Sequence, residues 1–188
     1  MRTALRVCLC LGILVASTAA WATTAVERTE GDMIGESEII VTGRCINLES
    51  RWLDRDLVTL ATIEVTEVLK GAAGTTITVV LPGGIDSNRR IPIAMTYPAA
   101  PEIFSREAVL LFLTGEDRLA DGYSIVGFSQ GKFTLAEDAQ GKKIGTQDLS
   151  RLNLVSRGGR TTAGTYKTVS IDDLRRKIQQ LDAAETDR

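Results

Sequence analysis

The sequence predicts an all-β fold: a small OB-like antiparallel β-barrel of six to eight strands, with a short N-terminal helix and a C-terminal amphipathic helix. Two observations lead to this prediction. Most of the chain beyond residue 37 consists of short runs of β-branched and apolar residues separated by turn-forming residues. A clear helical spacing of apolar residues occurs only near the C-terminus. Short antiparallel strands in such number pack as a barrel or a sandwich.

The first 22 residues are typical of a secretory signal peptide. Arg2 and Arg6 precede an apolar run over 7–15, and Ala20-Trp21-Ala22 matches an A-x-A cleavage site. The run is much shorter than the roughly 20 residues that a membrane-spanning helix needs. We therefore expect an exported protein, periplasmic or secreted, with no membrane span after cleavage. Residues 23–188 would form a single domain.

Composition excludes several classes of function. Histidine is absent from all 188 residues, so Ser-His-Asp triads, Cys-His dyads and histidine metal ligands are impossible. The 22 basic side chains do not exceed the 24 acidic ones, and loss of the leader would leave a net charge of −4. A nucleic-acid binder normally carries a basic excess. We therefore expect that the protein binds no nucleic acid, no metal and no cofactor.

Cys45 is the one cysteine that remains when Cys8 and Cys10 leave with the signal peptide. A single cysteine forms no internal disulfide, so stability must come from packing. Cys45 is open to two interpretations, a reactive thiol or a small buried hydrophobic residue. The apolar strand around it favours the buried residue.

The N-terminal half is predicted to begin with a short helix. Thr29, with Asp32 three residues later, is typical of a helix cap, and the helix should end near Ser37. Runs of β-forming residues then predict strands over 38–46, 55–69 and 75–81, with Gly43 at a bulge.

The segment 85–106 is the least regular part of the chain and contains Pro92, Pro98 and Pro101. A loop of about twenty residues is long for a compact domain and is typically functional. This composition indicates a contact surface on a strand-rich scaffold.

The C-terminal half predicts strands over 108–114, 123–128, 131–136, 143–145 and 152–155, followed by a flexible polar stretch over 157–165. Ser170 is the expected cap of a terminal helix over 170–184. In this helix Ile171, Leu174, Ile178 and Leu181 form one apolar stripe able to dock on a sheet.

One catalytic motif is formally present. Residues 127–131 match G-x-S-x-G, and Ser129 with Lys132 matches S-x-x-K. A nucleophile elbow needs a histidine and a following helix, whereas the residues after Lys132 predict a strand. The favoured interpretation is a tight turn between two strands, in which glycines adopt the required backbone angles. Catalysis by a Ser129/Lys132 dyad is the alternative.

Four side chains are candidate binding residues: Arg89, Arg90, Trp52 and Tyr97. Arg89 and Arg90 lie in the long loop, where they could bind an acidic group of a partner. The alternative, which the loop context favours, is that both are solvated surface charges. Trp52 lies beside a predicted turn and has two interpretations: a binding anchor, or a residue of the core or of the barrel lid. Tyr97 belongs to the same loop as the arginines.

The order of segments resembles a family of bacterial exported proteins of unknown function. The residues that carry this resemblance are 37–44, 64–71, 81–84, 109–113 and 127–133. The first part is also distantly similar to the netrin-like, OB-type barrel of the tissue inhibitors of metalloproteinases. In that barrel one strand, similar to residues 39–44 here, is followed by a second strand that ends in a Lys-Gly turn, similar to Lys70-Gly71. That resemblance implies the barrel. Those inhibitors begin with a metal-binding cysteine and are rich in disulfides, and this chain shares neither feature.

These observations predict an exported, non-enzymatic binding module that recognises a protein through residues 82–106. A protein associated with proteolysis is one candidate partner. Two alternatives stay open. One is a serine hydrolase that uses Ser129 and Lys132, and the other is a binder of a small ligand or an envelope glycan in the mouth of the barrel.

Overall fold

A computed structural model describes residues 23–115 and 121–186 of the chain. The predicted signal peptide, residues 1–22, lies outside the described residues. The described part is mostly β-sheet with two helices, which confirms the all-β class with short helices.

Thirteen strands and two helices make up the described fold, more strands than the predicted six to eight. The strands are β1 (Thr23–Val26), β2 (Ile39–Leu53), β3 (Asp56–Lys70), β4 (Thr76–Pro82), β5 (Gly84–Asp86), β6 (Ile93–Met95), β7 (Ala108–Thr114), β8 (Ser124–Ile125), β9 (Lys132–Glu137), β10 (Lys143–Asp148), β11 (Leu152–Val155), β12 (Thr161–Ala163) and β13 (Tyr166–Ser170). The helices are α1 (Glu30–Glu36) and α2 (Ile171–Thr186).

Eight strands form one antiparallel sheet in the order β13-β10-β9-β7-β2-β3-β4, and β8 pairs with β7. A second sheet has the order β1-β11-β12, with β1 parallel to β11. The strands β5 and β6 form a separate hairpin. The centre of the large sheet is therefore β2 and its neighbour β7, whose apolar run 109–113 is buried on both faces as the sequence predicts.

The large sheet buries a different core on each face. On one face, side chains of β2 and β7 such as Ile40, Leu110 and Phe112 pack against α1 and α2. On the other face, Val41, Leu111 and their neighbours pack against the curled strands β3 and β4 and against Ile103. The alternation of successive side chains along each strand divides the core in this way.

The prediction of a barrel is wrong, because the sheets do not close. The ladder of β2 with β3 shifts register at three places, one of them between Thr42 and Gly43, and such bulges bend a sheet. The bend brings β4 to one isolated parallel bridge between Val79 and Tyr123. Beyond β7 the sheet continues outward through β9, β10 and β13, and a closed barrel requires a continuous ladder.

Several predicted element boundaries also need correction. The strand predicted over 38–46 is β2, which continues to Leu53, so β2 and β3 form one long hairpin. The predicted loop 85–106 contains β6 and all of β5 except Gly84, and the predicted flexible stretch 157–165 contains β12. The strand expected over 123–128 is only the two-residue β8.

Both predicted helices are present. Thr29 and Asp32 form a reciprocal capping box at the start of α1, with Asp32 N donating to Thr29 Oγ1 at 3.1 Å. At the start of α2, Asp173 N donates to Ser170 Oγ at 3.4 Å. Three of the four predicted stripe residues of α2 are buried, whereas Leu181 is exposed. Neither of the described helices is long and apolar enough to cross a membrane.

Candidate functional site

The β5–β6 hairpin is fixed across the far end of the β2–β3 hairpin by polar contacts. Ile85 N donates to Ser50 Oγ at 3.1 Å, and Thr59 Oγ1 donates to Gly83 O at 2.8 Å. Gly83 has a φ of +90°, and a Cβ there would lie 2.6 Å from Met95 O. A side chain at residue 83 would therefore push β6 away, so glycine is required at this turn.

Trp52, Asp86 and Arg89 form a cluster at the turn end of this hairpin, where Asp86 pairs with Ile93. Asp86 Oδ2 accepts from Trp52 Nε1 at 2.8 Å and from Arg89 Nε at 2.9 Å. The Arg89 guanidinium lies 5.4 Å from the centre of the Trp52 ring, within the range of a cation–π contact. The Trp52 indole N–H first, and then Arg89, lowers the pKa of Asp86. By accepting from both donors, the Asp86 carboxylate fixes the orientation of the Trp52 and Arg89 side chains.

Large apolar side chains on the same hairpin face solvent. Ile85 is 61% exposed and Ile91 is 76% exposed. Arg90 is exposed as well and makes no ion pair with another described residue. We call Trp52, Ile85, Arg89, Arg90 and Ile91 the hairpin surface.

The structure brings together only part of the predicted binding set. Trp52 and Arg89 meet through Asp86, which the sequence analysis did not single out. Tyr97 lies apart from this cluster, and its hydroxyl donates to Asp56 Oδ1 at 3.2 Å. Partial burial first, and then Asp56, raises the pKa of Tyr97. Tyr97 is thus tied to the start of β3, whereas Arg90 remains exposed beside the cluster.

The G-x-S-x-G motif forms a 3-10 turn, Phe128–Gly131, between β8 and β9. Gly127 has a φ of +63°, and a Cβ on Gly131 would lie 2.6 Å from Val126 O. The two glycines are therefore required by backbone geometry, as the turn interpretation predicts. The strand β9 follows directly, where a nucleophile elbow would have a helix.

Gln130, the fourth residue of the motif, has a structural role that the sequence analysis missed. Its side chain is buried, accepts from Arg28 N at 2.9 Å and donates to Val26 O at 2.9 Å. The buried amide of Gln147 donates to the Gln130 carbonyl. The motif thereby joins the end of β1 to the large sheet. A lone glutamine in a turn gives no sequence signal of such contacts.

Ser129 and Lys132 line a cavity of about 260 Å³. Lys132 Nζ donates to Glu107 Oε1 at 2.5 Å and to Thr134 Oγ1 at 2.9 Å. Thr134 Oγ1 donates to Glu107 Oε1 at 2.6 Å, and Glu107 Oε2 accepts from Phe104 N at 2.8 Å. Among the described residues no hydrogen bond joins the Ser129 hydroxyl to Lys132. We call this site the polar cavity.

Cys45 is completely buried in the core beside β7. Burial is the main cause that raises the pKa of its thiol, and its Sγ donates to Asn47 O at 3.5 Å. The burial agrees with the favoured interpretation of Cys45 as a small buried residue.

Over residues 23–115 and 121–186, no group of three or more Cys, Asp or Glu side chains is arranged to hold a metal ion. Comparison with protein-family models, with curated proteins and with solved structures gives no match. The resemblances described above therefore stay predictions, and function has to be argued from the residues.

Proposed function

We propose that this chain is an exported binding module that catalyses no reaction and recognises another protein through the hairpin surface. One observation carries the proposal. Asp86 holds Trp52 and Arg89 in place, while Ile85 and Ile91 on the same hairpin project into solvent. A preorganised element that presents apolar side chains loses little conformational entropy when it binds.

The charges of the hairpin surface define the partner by its chemistry. Arg90 is exposed beside Ile91, and its guanidinium has no carboxylate partner among the described residues. Arginine pairs with carboxylates in a two-pronged geometry, and a central apolar side chain anchors an interface in a pocket. The proposed partner therefore presents an apolar pocket beside an acidic side chain.

The sequence also predicts the compartment. Residues 1–22 predict export, so the partner is expected in the periplasm or outside the cell. A disulfide-free domain that relies on packing alone is compatible with that compartment, because its single cysteine is buried.

A hairpin exchange tests the proposal. Residues 87–92 are replaced by Asn-Gly, a two-residue turn that joins the paired residues Asp86 and Ile93 and keeps the Trp52–Asp86 bond. Proteins captured from the periplasm and the medium by the parent chain and by this variant are compared by quantitative mass spectrometry. We expect the specific partner to be lost.

A point variant then measures the contact directly with the purified partner. Arg90→Glu with Ile91→Ser should raise the dissociation constant at least about tenfold, as expected for residues at the centre of an interface. Arg160 is an exposed arginine in another loop, so Arg160→Glu is the charge control. This substitution should change the dissociation constant less than about twofold. Equal recovery and equal affinity in all variants would refute the proposal.

Serine catalysis is the alternative from a different class. It rests on the position of Ser129 and Lys132 in one cavity. Stoichiometric labelling by a fluorophosphonate that Ser129→Ala abolishes would overturn the non-enzymatic proposal. We expect no labelling, because the lysine amine donates to Glu107 and Thr134.

A further inference from the structure

The polar cavity lies where the apolar core of the large sheet ends. Val109 and Leu111 of β7 are buried, and they pair with Thr134 and Lys132 of β9. Residues directly opposite on paired strands share a face, so this face changes from apolar to polar within one strand. It continues through Thr146 of β10 to Tyr166 at the start of β13, and the segment 99–107 forms the facing wall.

The floor of the cavity is a nearly buried polar triangle. The side chains of Lys132 and Glu107 are only 15% and 9% exposed, and Thr134 bonds to both of them. Such an ion pair has a large desolvation cost, and well-packed apolar residues would often be as stable in its place. A fixed set of polar groups at the bottom of a concave site is typical of ligand recognition.

Two aromatic rings stand exposed at the rim. Phe104 on the facing wall is 61% exposed, and Tyr166 at the sheet edge is 66% exposed. The face of an aromatic ring carries partial negative charge and attracts C–H groups of a flat apolar surface. Sugar rings combine such C–H faces with hydroxyl edges, which match the rim and the floor respectively.

The charges favour a neutral ligand. Lys132 is paired with Glu107, and Arg151 is paired with Glu102 at 2.9 Å. Asp148 adds another carboxylate to the lining, so the described lining residues carry no surplus of positive charge. The cavity of about 260 Å³ lies just below the usual 300–1,000 Å³ of ligand sites, which suits one sugar ring rather than a large cofactor.

We propose that the polar cavity binds a neutral oligosaccharide. One sugar ring lies against Phe104 and Tyr166, and its hydroxyls form hydrogen bonds with the Lys132–Glu107–Thr134 floor. None of the residues of the hairpin surface lines this cavity. The inference therefore adds a second binding site to the proposed function and does not depend on the protein partner.

The test uses three soluble probes and isothermal titration with the purified chain. Cellotriose and tri-N-acetylchitotriose are the neutral probes, and trigalacturonate is the acidic one. We expect at least one neutral probe to bind, and amide signals of 132–134, 146–148 and 166 to shift in NMR spectra. Trigalacturonate should bind more weakly than that probe.

Ring-deleting variants then locate the site. Tyr166→Thr keeps a β-forming residue on the edge strand and Phe104→Ala removes the ring of the facing wall, and each should weaken binding by about fivefold or more. Tyr166→Phe, which keeps the ring, and Ile91→Ala, on the hairpin surface, should stay within about twofold of the parent chain. Circular dichroism establishes that each variant is folded. If Phe104→Ala does not fold, the affinity of Tyr166→Thr alone tests the site.

Three results would overturn the inference: no binding of either neutral probe at millimolar concentration, preference for trigalacturonate, or unchanged affinity in Tyr166→Thr. Loss of protein capture in the hairpin variants would not affect this outcome, since the two sites are tested with different ligands.

Discussion

Gly43 lies where β2 and β3 approach more closely than a side chain allows. A Cβ at this position would lie 2.5 Å from Glu64 O and 2.7 Å from the Ile63 side chain. The register shift between Thr42 and Gly43 places this contact at a bulge, as a glycine inside a strand predicts. Gly35 in α1 is the opposite case, because nothing lies within 4 Å of a Cβ there.

These two glycines make a matched pair for substitution. Gly43→Ala should lower the free energy of unfolding by about 1–3 kcal/mol, because backbone atoms must move to admit the methyl group. Gly35→Ala should leave it unchanged or raise it by about 0.5–1 kcal/mol, since alanine is the better helix former. Urea unfolding followed by circular dichroism gives both values. Equal stability of the two variants would contradict the close approach.

Asp86 predicts a pH-dependent signal from the hairpin surface. Its folded pKa is lowered by Trp52 and Arg89, so its contacts are present above the ordinary value of 3.8 and are lost as the pH falls through the folded pKa. With Trp21→Phe as background, the emission of Trp52 should therefore change with a midpoint below 3.8. The change should be absent in Asp86→Asn.

Far-UV circular dichroism over the same pH range separates this local change from global unfolding. A midpoint at or above the ordinary value of an aspartate would show that Asp86 does not bind Trp52 and Arg89 in solution.

At the scale of the element, α2 combines burial with an ion pair. Ile171, Leu174 and Ile178 are buried against the sheet. Arg175 donates to the Glu67 carboxylate from Nε to Oε1 at 3.1 Å and from Nη2 to Oε2 at 3.0 Å, but both side chains are more than one-third exposed. Burial of a leucine contributes several kcal/mol, whereas exposed ion pairs contribute about 0.2–1 kcal/mol. Packing therefore dominates the docking of this helix.

Two neighbouring substitutions test that order. Leu174→Ala should destabilise the fold by about 2–5 kcal/mol, because it leaves a cavity between α2 and the sheet. Arg175→Ala should cost less than about 1 kcal/mol, and the loss should shrink further at high salt. Thermal and urea unfolding measure both. A larger loss for Arg175→Ala than for Leu174→Ala would reverse the conclusion.

At the scale of the molecule, the sheet order puts β2 and β7 at the centre of the fold. Each has a strand paired on both sides and side chains buried on both faces over 39–43 and 109–113. The hairpin β5–β6 and the strand β12 lie at the periphery, and β12 is exposed along its length. Protection from solvent should therefore be unequal across the chain.

Native-state hydrogen exchange measures this inequality. Amides of 39–43 and 109–113 should exchange last, close to the rate set by global unfolding, while those of 85–95 and 161–163 should exchange first. The hairpin variant of residues 87–92 is a control, since it should leave the slow amides unchanged. Fast exchange in β7 would contradict the central place of this strand.

The candidate sites could be predicted only in part. Residue type and loop context point to Arg89, Arg90 and Trp52 as binding residues, and in the structure Arg89 and Trp52 meet. The link between them is Asp86, whose role depends on its place opposite Trp52 in the folded chain. Glu107 and Tyr166 of the polar cavity gave no sequence signal, because neither belongs to a motif and they come from distant segments.

Local chemistry determined the elements that the sequence predicted well. The capping box defines α1, the apolar stripe defines α2, and seven apolar or β-forming residues define β7, since each depends on neighbours a few positions away. Tertiary contacts decided the rest. Short polar strands such as β12 and β13 exist because a partner strand satisfies their backbone, and the open sheet results from bulges and from pairing beyond β7. Pairing between distant segments gives the backbone N–H and C=O groups of these strands their hydrogen-bond partners. Which segments pair depends on the whole chain, so no local sequence pattern predicts it.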